Sequence, residues 1–224
     1  MGLLTQNKKM RKSSGQGVAV FNFGIPAFTS ITGQKTCPNA GACVKTCFAR
    51  GGAYVFNVVK NAYEVKFAVT QSPVFVSLID SELQRQKRKH KRIAVRIHDS
   101  GDFYSEEYLQ KWLLIIKNNP ETTFYAYTKR VSLMKRTKLP DNFKVIYSFG
   151  GKEDSLIDIE KDAHSFVFPD KKSLIKAGYD NATDNDLVAT KSKRVGLVYL
   201  EHGAWEGSGW DKIYLRRFNN GLSK

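Results

Sequence analysis

Cysteine is absent from this chain except within one eleven-residue stretch, Cys37-Pro-Asn-Ala-Gly-Ala-Cys43-Val-Lys-Thr-Cys47. Three thiols crowded into one loop of a chain that otherwise avoids them suggest a shared metal ion or iron–sulfur cluster. Three ligands also leave one coordination position open, which points to chemistry more than to a structural staple. Long hydrophobic runs are missing too. The longest, at 74–79, 93–95 and 113–116, fall well short of the roughly 18 residues that a bilayer requires. The first ten residues lack an apolar segment, so they do not read as a secretory signal, and Gln6 stands where a myristoylation motif has Ser or Thr. A cytoplasmic protein with reduced thiols is the expectation.

Acidic residues are scarce. Against 36 Lys and Arg there are 21 Asp and Glu, giving a formal charge of +15. The bases gather at residues 8–12, 85–92 and 129–138. Such patches attract polyanions, nucleic acid foremost, although each cluster alone also reads as a solvated surface or helix end. Internal repeats, low-complexity tracts and Pro/Ser-rich linkers are absent as well, so one compact unit is expected. Residues 1–16 read as a flexible basic arm, and 17–224 as a single β/α domain with a cysteine loop at 33–50.

Within that domain, apolar runs at 18–23, 93–98, 123–128, 144–149, 165–168 and 195–200 predict strands. Helical periodicity at 53–70 places Tyr54, Val58, Ala62, Val65 and Val69 on one stripe. Ser72-Pro73 opens a second helix reaching to about residue 89, with Phe75, Leu78, Ile79 and Leu83 on its inner face. Further helices are predicted from Ser105 to Lys117, around 132–135 and at 155–161. Alternating strands and helices imply parallel βα units with right-handed crossovers, hence an α/β fold with a partial (β/α)6 barrel-like parallel sheet. In such folds chemistry gathers at the loops after the strand C-termini. Here those loops are His98-Asp-Ser-Gly-Asp102, Thr128-Lys-Arg130, Ser148-Phe-Gly-Gly151 and Glu201-His-Gly203.

Three thiols after a first strand, followed by further βα units, resemble the radical S-adenosylmethionine superfamily. Its usual pattern is C-x3-C-x2-C with an aromatic residue before the last cysteine. This chain has C-x5-C-x3-C, and Phe48 follows the last cysteine. A narrower likeness is carried by Gly24-Ile-Pro-Ala27, Cys47-Phe-Ala-Arg50, Val95-Arg-Ile-His-Asp-Ser-Gly-Asp-Phe103, Tyr125-Ala-Tyr-Thr-Lys129 and Tyr147-Ser-Phe-Gly-Gly151. These segments resemble the bacteriophage gene product 88 family, which implies a phage origin and a host-cell cytoplasmic location.

The superfamily resemblance implies that Cys37, Cys43 and Cys47 hold a 4Fe–4S cluster and that its fourth iron binds S-adenosylmethionine. A reductant would then be a further partner. Ser100, Gly101 and Asp102 stand where that superfamily holds the cofactor's amino group; an ordinary turn capping the next helix is the competing reading. Thr128, Lys129, Ser148 and Gly150 would meet its carboxylate or ribose. His98 and Asp99 would form a proton-transfer pair, unless His98 is a hydrogen-bonded structural residue. The alternative is a non-enzymatic nucleic-acid-binding protein whose cysteines hold zinc or shape the loop, although zinc knuckles usually contain a C-x2-C pair that is missing here. A magnesium-dependent nuclease using His98, Asp99 and Asp102 is a third possibility. The segment 203–210, rich in glycine and carrying two tryptophans, reads as a surface loop, a lid or a partner contact.

Overall fold

Residues 2–15, 17–199 and 205–219 are described by a computed structural model of the chain. The strands β1 (Val18–Phe23), β2 (Arg92–Ile97), β3 (Thr123–Thr128), β4 (Phe143–Ser148) and β5 (His164–Phe168) lie side by side in sequence order. Beyond β5 the order reverses, with β7 (Arg194–Val198) next to it and the two-residue β6 (Asp180–Asn181) at the edge. All six pairings are parallel, and the sheet is curled into a half-barrel. The six-stranded expectation is therefore corrected to seven strands among the described residues. Asp180–Asn181 is too short and polar to show strand periodicity, and only its pairing with Val195 and Gly196 makes it a strand.

Strand order explains which face each helix covers. In a right-handed crossover, moving along the sheet in one direction puts the connection on one face, and reversing direction puts it on the other. The crossovers α2 (Asn57–Gln71) with α3 (Phe75–Lys87), α4 (Glu106–Asn118), α5 (Val131–Lys135) and α6 (Lys171–Lys176) advance along the sheet and cover its outer face. The step from β6 back to β7 reverses, and its helix α7 (Val188–Lys191) packs Ala189 on the inner face. A further helix, α8 (Trp210–Tyr214), packs near β5. The outer core is aromatic: Phe23 and Phe75 meet Trp112 edge-on at 5.2 and 5.4 Å between ring centroids.

The N-terminal residues are built into the fold, where a flexible arm was expected. Leu3 and Leu4 are buried, and their N–H groups donate to the Glu82 carboxylate at 2.6 and 2.7 Å. Thr5 bridges to Asn22 of β1, and the short helix α1 (Lys8–Ser13), capped by the Asn7 side chain, inserts Met10 against Val20 and Ala94. Two leucines and a methionine among lysines carry too little local signal. Their burial comes from the groove that the rest of the chain provides.

Two helices also differ from expectation. In α2 the buried residues are Lys66, Phe67 and Thr70, while Val58 and Val65 are exposed. The apolar stripe assumed one continuous helix from residue 53, whereas Gly52–Val55 is a separate 3-10 turn. The predicted helix at 155–161 is only a 3-10 turn, Asp154–Leu156. Beyond it the Asp158 side chain accepts the N–H groups of Glu160 and Lys161, and Asp162 accepts that of Asp158, a local alternative that competes with helix.

Candidate functional site: the cysteine loop on the strand rim

The chain leaves β1 through Gly24, where a Cβ would come within 2.1 Å of the Asp99 carboxylate and 2.4 Å of the Tyr63 ring. Only glycine fits there. The loop that follows lies across the C-terminal ends of β2, β3 and β4. Ile25 N–H donates to the Ser100 carbonyl, and Asp102 N–H to the Thr36 carbonyl, each at 3.0 Å. Gly41 and Cys43 N–H both donate to the Gly150 carbonyl at 3.2 Å. Lys152 N–H donates to the Asn39 carbonyl, and Arg130 Nη1 to the Asn39 side chain at 3.1 Å. Gly150 has φ +93°, and a Cβ there would strike Trp210, so its backbone conformation is reserved for glycine.

Phe28 wraps Cys37. It takes a left-handed φ of 66°, donates its N–H to Cys37 Sγ at 3.4 Å, and offers its carbonyl to the N–H groups of Thr36 and Cys37. Such a conformation costs a non-glycine residue about 1–2 kcal/mol, so the surrounding loop must over-determine it. All three thiols are free and partly exposed. Burial, then Asp102, push the Cys37 thiol up to about 12, with Cys47 and Cys43 adding to the effect. Burial also raises Cys47, although Lys129 and Arg50 oppose it. Among the described residues, however, no group of three or more His, Cys, Asp or Glu side chains is arranged to hold a metal ion.

The remaining predicted rim residues are tied mainly to each other. The Asp102 carboxylate accepts from Thr128 Oγ1 at 2.6 Å, from Lys129 N–H at 2.9 Å and from its neighbour Phe103 N–H at 2.8 Å. Lys129 Nζ donates to Ser148 Oγ and to the Ser148 and Phe149 carbonyls. Asp102 and Lys129 thus brace the ends of β2, β3 and β4. Near them stand polar atoms that are buried and find no partner among the described residues: Thr46 Oγ1 in the cysteine loop, Ser100 Oγ and Arg130 Nε. Buried polar groups are seldom left unpaired, so these mark where a ligand or water would be held.

His98 and Asp99 do not form a pair. His98, at φ 66°, turns to the outer core, where Nε2 meets Tyr108 Oη at 2.9 Å and Phe103 packs on the ring. Burial, with Arg96 adding, lowers its imidazole to about 3. Asp99 faces the other way, accepting from Asn22 at 2.6 Å, from Tyr63 at 3.0 Å and from Tyr54 at 3.3 Å. Burial raises its carboxyl, while Arg96 and Tyr63 oppose the rise. With Asp102 committed to β3, the three residues proposed for a nuclease point into separate surroundings.

A second polar assembly on the inner face was missed. Asp186 accepts from Tyr125 Oη and pairs with Lys9, both at 2.6 Å, and with Arg96 at 3.2 Å. Arg96 lies over the Tyr127 ring at 4.8 Å, and the Tyr127 hydroxyl has no partner among the described residues. Burial would raise Asp186, but Arg96 and Lys9 hold it below the usual carboxylate range. The available signal was the charged Arg96 and the polar Asn22 inside otherwise apolar strands. Pairing across 90 residues to Asp186 was not readable. Of the C-terminal elements, residues 201–203 lie outside the described residues. Trp210 is buried against Phe166 and Gly150, which makes it part of the core and not of a surface loop.

An all-parallel α/β half-barrel, with a cysteine-bearing loop seated on its C-terminal rim, defines the class of protein. Within that class the sequence matches the Gene product 88 family model over residues 1–211, and the chain belongs to that bacteriophage family. It is 31% identical over 136 residues to the Gene 88 protein of Mycobacterium phage L5. That alignment covers 56% of this chain and 55% of the relative, so the chain spans about half the relative's length. No solved structure matches. These matches bear out the phage family resemblance and do not extend to radical S-adenosylmethionine proteins. No helix among the described residues is long and apolar enough to cross a membrane.

Proposed function

We propose that the rim is an iron–sulfur site of the radical S-adenosylmethionine type, with Cys37, Cys43 and Cys47 as thiolate ligands. The single observation that carries the reading is the placement of unpaired polar atoms, Thr46 Oγ1, Ser100 Oγ and Arg130 Nε, around the loop that carries all three thiols across the strand ends. A bound cluster would supply one-electron reduction of S-adenosylmethionine. The thiols are the right donors for it, but they do not converge, so loading must draw them together and release their protons.

The roles of the other residues shift from those expected. Asp102, Thr128 and Lys129 stiffen the rim and leave few hydrogen-bonding positions unused. Arg130, beside Asn39, would receive a carboxylate, since a guanidinium matches that geometry. Ser100 would accept an amino N–H through its unpaired hydroxyl. The test is electron paramagnetic resonance of the anaerobically reconstituted, dithionite-reduced protein. The expected result is a cluster signal that S-adenosylmethionine reshapes, with Arg130→Gln weakening the reshaping but not the signal. A signal indifferent to S-adenosylmethionine, or none, would overturn the reading.

A further inference from the structure

The opposite end of the strands carries a different feature. The two basic clusters at residues 8–12 and 85–92, far apart in sequence, meet where β1 and β2 begin. There Arg11 of α1 and Lys89 and Lys91, just before β2, line one groove of about 450 Å³. His90 lines it too, and the floor includes Gly15 and Gly17, which present no side chain. No Asp or Glu is among the described residues that line it. Arg11, Lys89 and Lys91 are exposed, Arg11 keeping one contact to the Gln6 carbonyl at 2.7 Å. Lys8, Lys12, Arg85 and Arg88, also exposed, stand on the same two segments.

The third basic cluster behaves differently. Lys129 and Arg130 donate to rim groups, Lys135 pairs with Asp162 at 2.8 Å, and Arg136 pairs with Glu106 at 2.9 Å. Two of its cations are thus paired with carboxylates and two more are tied to the rim. The charge at the groove is not answered by any carboxylate among the described residues that line it.

We infer that this groove binds the phosphate backbone of a nucleic acid. Cations from two elements facing one acid-free channel neutralise successive phosphates and release their counterions. The further exposed bases on the same segments continue the field past the groove, which suits a polymer better than a single anion. The inference is independent of the cysteine site, because the groove lies at the N-terminal end of the sheet and the cysteines at the C-terminal end.

Fluorescence anisotropy with a labelled single-stranded 20-mer, repeated with its duplex and its RNA counterpart, tests it across a salt series. Affinity is expected to fall with salt at a log–log slope of about −2, as three phosphate contacts require for a single strand. Joint Arg11→Glu, Lys89→Glu and Lys91→Glu reversal is expected to weaken binding at least ~tenfold, whereas Lys171→Glu, Lys172→Glu and Lys176→Glu, an equal change in net charge on α6, stay within ~threefold. The neutral set Arg11→Gln, Lys89→Gln and Lys91→Gln, checked by circular dichroism, covers the case in which the reversal unfolds the chain. The inference fails if both triple variants weaken binding equally, if polyglutamate displaces the oligonucleotide as well as unlabelled DNA does, or if no binding occurs at low salt. Iron uptake is unaffected by the groove variants under this account, so either site can fail alone.

Discussion

On β2, Ile93, Val95 and Ile97 face the outer helices while Ala94 and Arg96 face inward, and the two sides are held by different physics. The outer side is an aromatic and aliphatic layer whose stability scales with area removed from water. The inner side places Asn22, Arg96, Tyr125, Asp99 and Asp186 on hydrogen bonds and ion pairs that need every partner present. The first arrangement tolerates change in proportion to lost volume. The second fails when one member is removed and recovers when members are removed together.

That contrast is sharpest at Trp112 and Asp186. Trp112→Ala opens a cavity in the fully buried outer layer and is expected to cost about 4 kcal/mol in urea unfolding. Asp186→Ala strands Arg96 and Lys9 and should cost about 3 kcal/mol. The paired change Arg96→Met with Asp186→Leu should cost less than Asp186→Ala alone; a cost equal to the sum of the two single changes would erase the distinction between the faces.

His98 offers a test in pH. Its folded value near 3 lies below the ordinary unfolded value, so the unfolded chain takes up a proton that the folded chain refuses. Its contribution is complete above about pH 6.5 and is lost progressively toward pH 3, reaching about 2 kcal/mol of lost stability at pH 5. His98→Gln should flatten that part of the profile, and an unchanged slope would place the ring in contact with water. The smallest effect is expected at Asp99→Asn, about 1 kcal/mol, because an amide oxygen still accepts from Tyr63 or Asn22.

The outer layer was the legible part of this chain. Runs such as Ile93-Ala-Val-Arg-Ile and Thr123-Phe-Tyr-Ala-Tyr-Thr locate strands because burial and β-propensity agree, and Ser105 caps α4 by accepting from Tyr108 N–H. The placement of the cysteine loop followed from connectivity, since a loop after β1 must cross the strand rim. What resisted was pairing at a distance. Nothing local says that His98 turns outward while Asp99 turns inward, because the left-handed backbone at His98 is settled by Tyr108 and Phe103 around it. Likewise the expectation of Asp102 and Lys129 as ligand groups could not include that they are neighbours and brace the rim. The unpaired Ser100 Oγ and Arg130 Nε emerge only once those bonds are counted.

Iron and sulfide content per chain after anaerobic reconstitution tests the cysteine site most directly. The account predicts about four of each in the wild-type protein and none above background when Cys37, Cys43 and Cys47 are all serine. Zinc in place of iron, or equal iron in both proteins, would contradict it.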